Sequence, residues 1–155
     1  MQLVNSFVVS KVDYCNSLLA DLPACQLDRV QAILNSAARL VYGRRNNEHV
    51  TPPLRDKLHW LRIGERVQLK CRLLVYKALN GAAPSPFNIA DFCSTFSSAH
   101  HQLVVPSRII KFGDRSFSVA EPTAWNILLD YIKLAASVDI FRARLKTFLF
   151  TRTCD

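Results

Sequence analysis

Apolar residues recur at helical spacing along several stretches of this chain. The clearest runs from Val12 to Gly43, VDYCNSLLADLPACQLDRVQAILNSAARLVYG. Leu27, Val30, Leu34, Ala37 and Val41 follow one another at spacings of three, four, three and four, which places them on one stripe of a 3.6-residue helix. Asp28, Arg29, Asn35 and Arg39 fall on its other sides. Gly43 is placed to cap the end, and Pro23 stops whatever precedes it. Upstream, Leu3, Phe7, Val8, Val12, Cys15, Leu18 and Leu19 form a comparable stripe. Two helices joined by so short a link are expected to pack as an antiparallel pair.

The pattern continues downstream. Thr51 is a candidate N-cap with Pro52 at the first helical position, opening a short element to Leu61 that carries Leu54, Leu58 and Leu61 on one side. A longer helix is expected from about Ile63 to Leu79, ended by Asn80-Gly81, with Ile63, Val67, Cys71, Leu74 and Ala78 on one face. Between residues 82 and 101 the periodicity loosens: Ala82 to Pro86 reads as a turn or linker, Phe87 to Cys93 as one short helix, and Ser94 to Ser98 as loop. Gln102 to Val105 reads as a strand ended by Pro106, with Arg108 to Phe112 as a possible second. Pro122 to Leu129 is expected to be helical around a buried Trp125. A last helix from Ser137 to Phe150 is expected to bury Phe141, Leu145, Phe148 and Leu149 and to expose Arg142, Arg144 and Lys146. The fold class expected is mainly α: a helical hairpin, a long basic helix, a small β element near residues 102–118 and a C-terminal helix. The expected organisation is a helical subdomain over 1–81, a linker over 82–101 and a small α+β subdomain over 102–155.

Charge changes this picture in one region. The net charge is +8, and ten of the twenty basic residues lie between Arg39 and Lys77 against only Glu48, Asp56 and Glu65. Arg62, Arg66, Lys70 and Lys77 align on one face of the long helix, and Arg44 and Arg45 lie in the polar loop before it. Like charges one turn apart repel by a few tenths of a kcal/mol per pair, a cost that an anion or a nearby acid removes. A polyanionic partner such as nucleic acid fits that excess, and so does a solvated face whose cations are paired elsewhere in the fold.

Candidate chemistry is sparse. No nucleophile elbow, phosphate-cradling loop, dinucleotide fingerprint or HExxH pair is written in the chain, which has four glycines in all. Carboxylates are scattered singly, which disfavours a paired-acid or two-metal site. Cys93 with His100 and His101 lacks the second pair that a zinc site requires, so no metal and no cofactor is expected. Trp60, Tyr76 and Tyr14 have rings that could stack on bases, and each reads more simply as a core aromatic. Five cysteines without a repeating framework, no secretory leader and no apolar run near the ~20 residues of a membrane span indicate an intracellular chain, cytoplasmic or nuclear, with no membrane partner.

Particular wording adds a resemblance. Ser10-Lys11-Val12-Asp13-Tyr14-Cys15-Asn16-Ser17-Leu18-Leu19, Leu27-Asp28-Arg29-Val30-Gln31 and Asn35-Ser36-Ala37-Ala38-Arg39-Leu40-Val41 resemble the region after the polymerase core in LINE-type, non-long-terminal-repeat retrotransposon reverse transcriptases. So do Leu58-His59-Trp60-Leu61, Glu65-Arg66, Leu74-Val75-Tyr76-Lys77, Leu79-Asn80-Gly81 and Phe112 to Ser118, and the likeness continues through Trp125-Asn126 to Leu149-Phe150. It departs at Arg62, where the family usually has Pro, at Ala82, and at Ile127-Leu128-Leu129 in place of Ser-Leu-Pro. The first departure would let the short helix run into the long one, and the last would let a helix continue past its usual stop.

The resemblance implies a thumb-proximal, C-terminal fragment beginning at a fortuitous Met1. The parent would be an RNA-directed DNA polymerase whose metal-binding aspartates and endonuclease lie upstream. Asp13-Tyr14 is followed by Cys15 and is not such an aspartate pair. The implied partners are RNA or an RNA–DNA hybrid, held through Arg44, Arg45, Arg62, Arg66, Lys70 and Lys77, and the polymerase core of the parent. A structural docking module, or a decayed fragment with no independent activity, is the alternative.

Overall fold

The structure is a computed structural model describing residues 2–14, 16–20, 22–43, 45, 58–82, 96–97, 102–105 and 117–152. It is mainly α-helical, as the periodicity leads one to expect. Contacts group the chain into two units, residues 1–68 and 69–155. That division falls within the long helix, upstream of the linker expected over 82–101.

In the first unit, the N-terminal stripe forms a short helical run: α1 (Gln2–Val4), a π-helical turn (Asn5–Val9) and α2 (Ser10–Asp13). Ser6 and Ser10 bond their hydroxyls back to the carbonyls of Gln2 and Ser6, the type of side-chain competition that disturbs regular α-helix. The run ends at Asp13, and a 3₁₀ turn (Asn16–Leu19) intervenes before the second helix, so the hairpin's first arm is shorter than its apolar stripe. The second arm, α3 (Ala24–Tyr42), begins after Pro23 and ends on Gly43, whose φ of 60° lets its N–H return to the Arg39 carbonyl. Leu34, Ala37 and Ala38 are buried on α3. Ala37 and Ala38 pack with Leu58 and Trp60, with Val4, Val8, Val9, Val41 and Tyr42 closing around them.

The long helix α4 (Ile63–Leu79) has the bounds that its periodicity predicts. Arg62 does not let an earlier helix run into it, because His59 adopts a left-handed φ of 49° and residues 59–62 are not helical. Its first N–H groups are met instead by side chains. Glu65 Oε2 accepts from the Arg62 N–H at 2.9 Å, and Gln31 Oε1 accepts from the Ile63 N–H at 2.8 Å. At the far end Gly81 takes φ 67°, with the Ala82 N–H bonded to the Lys77 carbonyl and the Gly81 N–H to that of Ala78. That pair of bonds is a Schellman stop.

The second unit contains the C-terminal half of α4, strands β1 (Phe96–Ser97) and β2 (Gln102–Leu103), and helices α5 (Phe117–Asn126), α6 (Asp130–Lys133) and α7 (Val138–Arg152). Its core is aromatic. Phe141 stacks on Tyr76 with centroids 4.2 Å apart and on Trp125 at 5.9 Å, while the Tyr76 hydroxyl donates to the Ala135 carbonyl at 2.5 Å. Ser137 caps α7 through its Oγ, which accepts the Ile140 N–H. Phe141, Leu145 and Leu149 are buried, and Phe148 is half-buried.

Two further details differ from expectation. β2 pairs antiparallel with β1, in a segment that reads as loop, and the candidate second strand over 108–112 lies outside the described residues. The helix around Trp125 begins at Phe117, contains Pro122, and ends at Asn126, so it does not continue through Ile127 to Leu129. Thr51, Pro52, Leu54 and the short helix expected over 87–93 lie outside the described residues as well.

Candidate nucleic-acid interface

A helix with a 1.5 Å rise per residue puts Arg66 and Lys70 one turn apart along α4, with Lys77 two turns beyond. The structure assigns these cations different circumstances. Arg62 is exposed, Lys70 is exposed and Lys77 is half-buried. Arg66 is turned inward: its NH1 lies 2.6 Å from Asp13 Oδ1, its Nε donates to the Leu61 carbonyl at 3.1 Å, and its side chain is only 12% exposed. For this residue, pairing with an acid elsewhere in the fold removes the charge cost. Arg45 is exposed, and Arg44 lies outside the described residues. Arg45, Arg62 and Arg66 belong to the first unit, Lys70 and Lys77 to the second.

Arg72, also on α4, is buried at 4% exposure. Burial is the main influence pushing its guanidinium below the ordinary arginine range, and Arg152 adds repulsion in the same direction; the Glu121 carboxylate opposes both. Glu121 is itself buried, on α5. This pair belongs to the interior of the second unit.

The aromatic residues also separate. Trp60 and Tyr76 are buried core residues, whereas Tyr14 is 79% exposed. The structure adds one ring that periodicity did not single out. Tyr131 on α6 is 53% exposed, and the Arg144 guanidinium sits 6.0 Å from its centroid while donating from NH1 to the Tyr131 carbonyl. The sequence signal was present only as an isolated Tyr upstream of a basic helix.

The first unit carries an open apolar groove of about 540 Å³ between the N-terminal run and α3. Phe7, Val8, Val12, Val30 and Ile33 line it, with Lys11 as the charged residue on its wall. Nearby in sequence, Leu3 and Leu40 are more than 70% exposed.

Among the described residues, no three His, Cys, Asp or Glu side chains come together as potential metal ligands, and no helix is long and apolar enough to cross a membrane. Cys93, His100 and His101 lie outside the described residues; Cys25 and Cys71 carry no disulfide. Compared with family models, curated proteins and solved structures, the chain finds no match in any of the three.

Proposed function

We propose that this chain is a non-catalytic, C-terminal region of a LINE-type retrotransposon reverse transcriptase that helps to hold RNA or an RNA–DNA hybrid. The observation that carries the reading is α4, an unbroken helix presenting Lys70 at its surface, with Lys77 two turns further on and Arg62 at its start, in the most basic stretch of the chain. Contacts of this kind go to phosphates, so binding is driven by charge and shape and carries little base preference. Arg66 is committed to Asp13 and contributes to the fold of the first unit, so the phosphate contacts fall to Arg45 and Arg62 in the first unit and to Lys70 and Lys77 in the second. Polymerisation would reside in the parent's upstream core, and a polymerase assay on this chain is expected to be blank. The site of action would be the cytoplasm or nucleus.

The test is RNA affinity measured as a function of salt for the full chain and for Arg62→Gln/Lys70→Gln/Lys77→Gln. Three lost phosphate contacts flatten the log–log salt slope by roughly 2 on single-stranded RNA. An unchanged affinity and slope would remove α4 from the interface.

A second reading has its own observation, the apolar groove of the first unit. On that reading the chain is a docking module for protein, and the parent polymerase core is the natural partner. It predicts a chain that self-associates and binds no RNA at moderate salt.

A further inference from the structure

We infer that the apolar groove of the first unit pairs with the same groove on a second copy of this chain in a closed two-fold dimer, an inference that rests on the reading of that groove as a protein-docking surface. The N-terminal run packs along α3, where Val4, Val8 and Val9 meet the Ala37–Ala38 cluster that Val41 also joins. Phe7, Tyr14 and Ile33 stand on the walls of the groove, each more than half exposed. Leu3 lies one turn before Phe7, and Leu40 lies two turns beyond Ile33 on α3. Both therefore extend the same face, at the end where Val4 and Val41 close on the cluster. These five exposed side chains leave on the order of 700 Å² of apolar surface in water, near the about 800 Å² that each partner buries in a standard stable interface. A monomer rarely leaves a contiguous apolar patch of that size uncovered.

The shape of the face suits a second copy. Its floor is recessed, with Val8, Val12 and Val30 half-buried, while Phe7 and Tyr14 project beside it. A two-fold contact needs one patch to supply both the projecting side chain and the hollow that receives it, and this patch supplies both. The hollow, about 540 Å³, is of a size that accepts a drug-sized molecule, and so a phenyl ring from a partner. Lys11 is the charged residue on the wall, and no acid stands with it among the residues that line the groove. Its stem can lie along the apolar surface with the ammonium in water, so apolar burial and not charge drives the contact.

The experiment is sedimentation equilibrium of the full chain over a range of concentrations at low and high salt, with thermal melting by circular dichroism confirming that each variant is folded. A discrete dimer is expected, unchanged or tighter at high salt, because screening relieves the repulsion between two chains of net charge +8. Phe7→Glu and Ile33→Glu are each expected to weaken the dimer by about thirtyfold or more. Phe7→Ala, which introduces no charge, should act in the same direction. Ile127→Glu, at a comparably exposed apolar position of the second unit, is expected to leave the dimer unchanged.

Association lost in Ile127→Glu and retained in the groove variants would place the contact elsewhere and overturn the inference, as would open-ended aggregation in place of a closed dimer. A dimer that dissociates at high salt and is abolished by Lys11→Gln would mark a charge-driven contact and overturn it too. A chain that stays monomeric also overturns the inference, and RNA binding then decides the docking reading. No RNA bound at moderate salt leaves that reading standing with a different partner, whereas RNA binding removes both.

Discussion

The side-chain amide of Asn126 pairs with both backbone groups of Leu103: its Oδ1 accepts the Leu103 N–H and its Nδ2 donates to the Leu103 carbonyl, each at 2.8 Å. In effect the amide acts as a neighbouring strand for a residue whose side chain is buried at 3% exposure. It occupies the last position of α5, immediately after the buried Trp125. One side chain thus ties the two-residue strand β2 to the aromatic core.

Asn126→Ala should therefore destabilise the second unit by about 1–3 kcal/mol, because two half-buried backbone groups lose their partners. Chemical denaturation gives the magnitude. Hydrogen exchange at the Leu103 amide gives the location, and its protection should fall more than that of amides within α7. Unchanged protection at Leu103 would show that the pairing is not maintained in solution.

The Asp13–Arg66 contact is the main internal claim on the expected basic stripe. A double-mutant cycle with Asp13→Asn and Arg66→Gln should return a coupling of about 1.5–3 kcal/mol, the range for a hydrogen bond to a charged group. A coupling near zero, as surface pairs commonly give, would return Arg66 to the exposed stripe.

Arg72 and Glu121 call for a different comparison. Arg72 Nε and NH1 find no hydrogen-bond partner among the described residues, so Glu121 acts on Arg72 through charge alone, and Glu121→Leu should destabilise the second unit by less than the loss of a hydrogen-bonded buried pair. Arg72→Met combined with Glu121→Leu should recover much of that loss, since two apolar side chains of similar size suit the same interior. Urea denaturation of the single and double variants decides it, and an additive double variant would mean that the two residues do not act together.

Gly43 closes α3 in a left-handed conformation with open space around its α-carbon. Gly43→Ala meets no steric obstacle there, so its cost is backbone strain alone, about 1 kcal/mol after allowing for glycine's greater freedom in the unfolded chain. A shift in the denaturation midpoint without a change in slope is the expected signature.

Much of the helical layout was legible along the chain. The bounds of α4, the Gly43 and Gly81 stops and the Ser137 cap follow from residues within one or two turns of each other, where spacing and capping chemistry act directly. The α5 bounds were less legible. Pro122 suggested a start, yet it lies inside the helix, and Ile127-Leu128-Leu129 suggested a continuation beyond Asn126. Of the candidate interface, the cations on α4 could be placed by spacing, but the inward turn of Arg66 could not. Its partner lies 53 residues upstream at the end of a helix whose termination is itself irregular.

The sequence alone determined the mainly α class, the long basic helix and the amphipathic C-terminal helix, because hydrophobic periodicity and end caps are local and repeat within a few residues. Tertiary structure decided which polar groups are consumed internally: Asp13 with Arg66, Gln31 at the start of α4, and Asn126 on Leu103. Buried polar groups must find partners wherever packing brings them, and those partners lie 23 to 53 residues away in the hydrogen-bonded cases. A linear pattern shows which residues carry charge. Only the packed chain shows which of those charges remain available to a ligand.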